Sequence, residues 1–265
     1  MLYARLVERG DARWDQPVAS LFPDLIHEIS PAWNDRTIEE LIVCQGGMQA
    51  NPSRSRMFAG YGDDRSMADQ RTDAAMAAMR DAPGPRGRFV YSNSSYMVVG
   101  AAIDRITREP FERALERHVL EPLGIASLSY GPPERVCGHG PLLRIGNLAL
   151  FAGRPADPND PHSDNPRMFS SAGTMHVAMV DWAKFLGIFV TGGGGIVKPQ
   201  TVDDLLRTPK TPRAAMGKGW ARAELKGVST GMQGSNTLWS ATALLNTNRT
   251  KSSFVVCNDG RRASV

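Results

Sequence analysis

A polar turn that runs straight into a long apolar segment is the feature that most constrains the fold of this 265-residue chain. The turn carries Tyr91 and Asn93, and apolar side chains then recur at helical spacing from Tyr96 to Ile106. A helix with such a wide apolar face is buried, and it holds in place the side chains at its start. We therefore expect the phenol of Tyr91 and the amide of Asn93 to face a cleft.

Helical spacing recurs through the middle of the chain. It marks residues 1–8, which Gly10 ends, and also residues 110–119 and 177–189. Thr37, with a glutamate three residues later, predicts a capped helix start, and Thr201 predicts another. The segments between these helices, at 50–88 and 131–170, are predicted to be loops, with one helix near 73–80 and a long irregular excursion at 131–170.

From Trp220 onward the sequence consists of short segments in which apolar and polar residues alternate. Residues 236–245 and 252–257, joined by a polar turn, predict a β-hairpin. A helical middle followed by a β-rich end predicts an α+β fold. We expect one domain over residues 1–265, incomplete at both ends, with a helical region at about 35–190 and a sheet-rich region at about 215–258.

Composition excludes several classes of partner. The net charge is only +4, and arginines alternate with acids, which indicates a solvated mixed surface and no nucleic-acid stripe. No apolar run approaches membrane-spanning length. Arg5, Glu8 and Arg9 interrupt the apolar region that a signal peptide needs, and localisation stays open.

Cysteine and histidine spacing predicts neither a metal site nor a cofactor site. Cys44, Cys137 and Cys257 lie far apart in sequence, and buried thiols are the favoured interpretation. His139 follows Cys137 closely, but the sequence shows no second pair of ligands.

One formal nucleophile motif is rejected. Gly227-Val-Ser229-Thr-Gly231 matches the nucleophile elbow of α/β-hydrolases, a fold in which a catalytic histidine follows the serine. All five histidines of this chain precede Ser229. We expect these glycines to serve a turn.

Several short segments, in order, carry a resemblance to a known family. They are Tyr91-Ser-Asn93, Pro122-Leu-Gly124, Asp164-Asn-Pro166, Ser171-Ala-Gly173 and Gly234-Ser-Asn-Thr-Leu-Trp239. The chain resembles the serine β-lactamase and penicillin-binding-protein-like hydrolases over nearly its whole length. The resemblance implies a β-lactamase/transpeptidase-like fold, with an antiparallel sheet flanked by helices and a helical subdomain.

The resemblance also implies a chemistry. In such hydrolases a serine attacks an amide, ester or β-lactam carbonyl, and a lysine one helical turn later assists it. Carried over to this chain, Tyr91 is the proton shuttle and Asn93 contacts the substrate or the lysine. Gly234, Ser235 and Asn236 line the strand that binds the substrate, a small acyl compound. No cofactor is implied.

The sequence departs from the family pattern at three places. Met232 stands where the family has lysine or histidine, and Cys44-Gln-Gly-Gly47 replaces the usual His-x-Ser-Gly. No Ser-x-x-Lys occurs, so we expect the chain as written to be inactive. The residues three positions before the six lysines are Asp181, Gly195, Arg207, Ala215, Ala223 and Asn248, none with a hydroxyl.

Two functional classes remain open. One is a serine hydrolase whose native form has more N-terminal sequence, and the other is a non-catalytic ligand-binding member or gene remnant. The DNA upstream of Met1 discriminates them, because an in-frame Ser-x-x-Lys favours the enzyme. We also expect unpaired strand edges, through which the chain can form oligomers.

Overall fold

The structure, a computed structural model, describes residues 1–145, 148–208, 216–223 and 225–261. The α-helices are α1 (Leu2–Arg9), α2 (Ile38–Ile42), α3 (Arg54–Tyr61), α4 (Met67–Met79), α5 (Asn93–Thr107), α6 (Phe111–Leu115), α7 (Met179–Val190) and α8 (Pro199–Leu206). The strands are β1 (Ser129–Tyr130), β2 (His139–Ile145), β3 (Leu148–Pro155), β4 (Met175–His176), β5 (Ala221–Arg222), β6 (Val228–Ser235), β7 (Ser240–Asn246) and β8 (Ser252–Cys257). The strand pairs within these ranges are antiparallel, so the arrangement is α+β, as predicted.

The largest sheet lies at the C-terminal end of the chain. Its strand order is β5-β6-β7-β8, and the predicted hairpin is confirmed as the β7–β8 pair. β7 begins at Ser240, however, and the preceding residues 236–239 form the turn out of β6. The outer strand β8 exposes Val255 and Val256, and self-association through this edge stays a prediction.

One apolar core joins the helices to this sheet. It includes Leu6 of α1, Val98 of α5, Leu186 of α7, Leu205 of α8 and Leu245 of β7, each at most 2% exposed. Burying one such side chain stabilises the fold by roughly 1.5–3 kcal/mol. The N-terminal helix is therefore tied to the last sheet through side-chain packing. The domain boundaries predicted above stay a prediction.

The loop prediction for residues 50–88 is wrong. The segment contains two helices, α3 and α4, where the sequence predicted one near 73–80. Ser53 accepts a hydrogen bond from the backbone of Arg56 at 3.3 Å, and Ser66 accepts one from Asp69 at 3.1 Å. These serine caps supply the helix starts that the Arg- and Gly-rich composition concealed.

The irregular segment predicted at 131–170 contains a β-hairpin. β2 and β3 pair with Leu143 opposite Leu150, and a register shift lies between His139 and Pro141. Glycines and prolines in both strands hid the alternation. The helix start at Thr201 is also wrong, because α8 begins at Pro199 and the Thr201 hydroxyl donates to Glu8 at 2.8 Å.

No helix in the described ranges is both long and apolar enough to cross a membrane.

Asp181 of α7 gives the fold a testable pH dependence. Its carboxylate accepts hydrogen bonds from Lys184 at 2.6 Å and from the hydroxyl and backbone of Ser127 at 2.7 and 3.1 Å. Lys184 first, and then Ser127, hold the pKa of Asp181 far below its usual range. A depressed folded-state pKa stabilises the fold above the unfolded pKa, and this stability is lost as the pH falls.

We expect Asp181→Asn to flatten the acid side of the stability profile. The free energy of unfolding, measured in urea between about pH 5 and pH 2, should fall less steeply in this variant than in the wild type. Asp64→Asn is the control, because Asp64 is exposed. Equal slopes in the wild type and Asp181→Asn would contradict the assignment.

Candidate functional site

The turn before α5 is fixed from two sides. Ser92 caps the helix, since its hydroxyl accepts from the backbone of Ser95 at 2.9 Å and donates to the carbonyl of Gln49 at 2.6 Å. The backbone of Val90 donates to the carbonyl of Cys44 at 3.0 Å. The residues around Tyr91 are thus bonded both to the helix and to the segment 44–50, which limits their movement.

The two tyrosines of this region occupy different environments. Tyr91 is 52% exposed, at the surface beside the start of α5. Tyr96, one turn into the helix, donates its hydroxyl to the carbonyl of Ile42 at 3.0 Å, and burial raises its pKa. Tyr96 is therefore a structural phenol, whereas Tyr91 lies where a ligand can reach it.

Asn93 lies at the first position of α5, beside Tyr91 in the chain. Its backbone donates to the carbonyl of Ala50 at 2.8 Å, and its side-chain nitrogen donates to the side-chain oxygen of Asn51 at 2.8 Å. These contacts orient the amide. Contact of Asn93 with a substrate or a lysine stays a prediction.

The end of β6 carries the other three predicted site residues. Gly234 is exposed, and a methyl group added there would meet no atom within 4 Å. The Ser235 hydroxyl accepts from the backbone of Thr237 at 3.0 Å. Space beside Gly234 allows a ligand to approach the strand closely, although a substrate-binding role stays a prediction.

Asn236 is engaged inside the protein at both ends of its side chain. Its oxygen accepts from the backbone of Leu238 at 3.1 Å and of Trp239 at 3.0 Å, which makes the turn into β7. Its nitrogen donates to the carboxylate of Asp164 at 2.9 Å. Asn236 therefore positions the turn beside Gly234.

The partners of Asn236 are residues to which sequence reasoning gave no role. Burial raises the pKa of Asp164, and Tyr61 of α3 donates its hydroxyl to the Asp164 carbonyl at 3.0 Å. The ring of His162 packs on Tyr61 with the ring centroids 4.4 Å apart. Asp164-Asn-Pro166 is a turn signal in the sequence, but its contact with Asn236 spans 72 residues.

The predicted site residues therefore form two groups. Tyr91 and Asn93 lie against the segment 44–51, and Ser235 and Asn236 lie near the loop that carries Asp164. Within the described ranges, no hydrogen bond links Asn93 to Ser235 or Asn236. That Tyr91 and Gly234 face one cleft stays a prediction.

Two positions of altered family motifs have structural roles. Met232 pairs with Ala243 across the sheet and packs against the apolar core. Cys44 is buried with a φ of 57°, and burial raises the pKa of its thiol to about 11. A thiol with such a pKa is protonated at neutral pH and is no nucleophile.

No serine or threonine hydroxyl is hydrogen-bonded to a lysine or histidine side chain in the part of the chain that the structure describes. Lys184 donates to Asp181 and to the carbonyl of Gly124. Lys218 pairs with Glu39 at 2.7 Å and Asp204 at 3.0 Å. Both ammonium groups are neutralised by carboxylates and serve packing.

Comparisons of the sequence identify related proteins. The family model described as Beta-lactamase matches residues 1–263. The chain is 27% identical over 199 residues to an unguisins hydrolase of Aspergillus violaceofuscus, a match that covers 70% of this chain and 33% of that protein. The chain thus spans about a third of the length of this relative.

Comparison with solved structures also identifies proteins with the same fold. A D-stereospecific amidohydrolase from a Streptomyces species superposes with a TM-score of 0.75 at 20% identity, over 98% of this chain and 78% of that one. An octameric penicillin-binding protein homologue from Pyrococcus abyssi gives a TM-score of 0.73 at 18% identity, over 98% and 60%. At this identity the likeness establishes the β-lactamase/transpeptidase-like fold that the resemblance implied.

Proposed function

Because this chain belongs to the Beta-lactamase family, whose members have a serine-hydrolase fold, we propose that its 265 residues form a ligand-binding cleft without supplying a nucleophile. In this proposal Tyr91 and Asn93 form one wall and the end of β6 forms the other. The chain as written binds acyl compounds and does not turn them over.

The lack of any paired nucleophile carries this proposal. Acyl transfer by this route needs a hydroxyl with a base in hydrogen-bond reach. The sequence has no Ser-x-x-Lys, and within the described ranges no serine or threonine hydroxyl is hydrogen-bonded to a lysine or histidine side chain. Tyr91 supplies a phenol, whereas this route needs a serine hydroxyl and a lysine amine as well.

The ligand class that we propose is a small amide, ester or β-lactam. The structural neighbours include the D-stereospecific amidohydrolase and a D-amino acid amidase bound to D-phenylalanine. An open backbone at Gly234 suits a ligand that pairs with a strand edge through its amide. We therefore include D-phenylalanine amide among the compounds to be tested.

Hydrolysis assays test the proposal. We expect no turnover above the buffer rate with nitrocefin, a p-nitrophenyl ester or D-phenylalanine amide, while the amide perturbs NMR signals near Tyr91 and Gly234. Asp64→Asn is the matched control for binding, and Gly234→Val should abolish it by filling the space beside the strand. Turnover that follows the protein concentration would overturn the proposal.

The alternative is a hydrolase whose nucleophile lies outside the 265 residues. Sequencing the DNA upstream of the Met1 codon decides between the two. An in-frame Ser-x-x-Lys there would favour the complete enzyme, and a stop codon or unrelated sequence would favour the non-catalytic protein.

A further inference from the structure

The structure brings into contact two segments that each carry a cysteine, Cys137 and Cys257, 120 positions apart in the chain. Cys137 and Cys257 are both free and exposed, so the prediction of buried thiols holds only for Cys44. Cys137 precedes the β2–β3 hairpin, and Cys257 ends β8. Sequence spacing could not predict that these segments meet, because the contact between them is non-local.

A parallel bridge sets the register of the two segments. His139 pairs with Asp259, with its backbone nitrogen 2.9 Å from the carbonyl of Asn258, and the backbone of Gly260 donates to the carbonyl of His139 at 2.8 Å. Two residues earlier on each segment stand Cys137 and Cys257. The bridge therefore holds Cys137 and Cys257 on neighbouring segments.

The segments remain in contact at the cysteines. The side-chain nitrogen of Asn258 donates to the carbonyl of Cys137 at 3.1 Å. Neighbouring extended chains lie roughly 5 Å apart, and a disulfide needs Cα atoms about 4.4–6.8 Å apart. A disulfide between the two segments requires this separation at Cys137 and Cys257.

Asp259 and Arg261 follow Cys257 closely in the chain. Asp259 bonds to Arg261 through two contacts of 2.8 and 2.9 Å, and it raises the pKa of Arg261, as does the charge of Cys257. The Arg261 guanidinium therefore lies near the Cys257 sulfur.

We propose that Cys137 and Cys257 form a reversible intrachain disulfide when the protein meets a low-molecular-weight disulfide such as oxidised glutathione. The Cys257 thiolate attacks one sulfur of the oxidant, which breaks its S–S bond and releases one glutathione thiolate. The Cys137 thiolate then attacks the Cys257 sulfur and releases the second glutathione. The protein loses two electrons and two protons, and the oxidant becomes two thiols.

The bond would act on the turn that Asn236 forms. Gly138 packs so closely on Leu238 and Trp239 that an added Cβ would lie 2.8 Å from each of these side chains. A covalent tie at Cys137 fixes Gly138 against this turn and closes a long loop, which stabilises the folded state by restricting the unfolded chain. The inference is independent of the proposed function, since it needs no bound ligand.

A thiol count on the full chain tests the inference. After incubation with oxidised glutathione, we expect the titratable thiols of the denatured protein to fall from three to one. The intact mass should fall by two hydrogens, and peptide mapping should join Cys137 to Cys257. The melting temperature should rise when the disulfide forms. Dithiothreitol should restore the thiol count and the mass and reverse that rise.

Single variants provide the controls. Cys44→Ser should leave the cross-link intact, whereas Cys137→Ser and Cys257→Ser should retain one bound glutathione and show no rise in melting temperature. Glutathione on both exposed cysteines without a cross-link in the wild type would overturn the proposal. A cross-link between chains on a non-reducing gel, with none inside the chain, would also overturn it.

Discussion

Replacing Arg71 with leucine is expected to lower the free energy of unfolding by about 3–5 kcal/mol. The Arg71 side chain is fully buried, and its guanidinium donates to Asp104 at 2.8 Å, to Glu112 at 2.7 Å and to the hydroxyl of Ser170 at 2.5 Å. It joins α4 to α5, α6 and the 167–170 segment. Without it, two carboxylates remain in the interior with no countercharge.

Arg113→Leu is the matched control for this variant. Arg113 pairs with Glu116 on the surface, with side chains 69% and 43% exposed, and such pairs contribute about 0–1 kcal/mol. Urea unfolding of both variants at one pH gives the comparison. Equal losses of stability in the two variants would show that the buried cluster does not hold these helices together.

Gly47→Ala is the second substitution with a large expected effect. Gly47 has a φ of +82°, and an added Cβ would lie 2.3 Å from the Gly84 carbonyl oxygen. The left-handed conformation costs a residue with a side chain about 1–2 kcal/mol, and the collision adds about 1–3 kcal/mol. We expect a loss of about 2–5 kcal/mol.

Gly10→Ala separates the two contributions. Gly10 has nearly the same φ, +83°, but an added Cβ there meets no atom within 4 Å. We therefore expect only the conformational cost of about 1–2 kcal/mol. If urea denaturation gives equal losses for both variants, the close approach of the Gly47 and Gly84 backbones does not constrain the fold.

Features that depend on neighbouring residues could be predicted from the sequence. Thr37 and Glu40 form the capping box, Gly10 ends α1 in the left-handed region, and α5 covers the segment with the apolar stripe. The β7–β8 hairpin was also predictable, because a polar turn separates two alternating runs. Each of these signals lies within a few residues of the element it specifies.

Features that depend on distant contacts could not be predicted. The sequence pattern predicts that β7 begins at Asn236. It does not show that the Asn236 side chain bonds to Asp164 and makes a turn. The exposed positions of Cys137 and Cys257 follow from a pairing across the fold. The sequence thus predicted single candidate site residues, but it did not predict the framework that positions them.

Labelling with mechanism-based probes shows whether these 265 residues contain a reactive nucleophile. We propose that they bind acyl compounds without one. The full chain is incubated with a fluorophosphonate or a β-lactam, and its intact mass is then measured. An active class C β-lactamase is the positive control. Circular dichroism shows that the chain is folded during the incubation. We expect an unchanged mass for this chain and a covalent adduct on the control enzyme. A stoichiometric adduct that is lost in Tyr91→Phe would contradict this proposal.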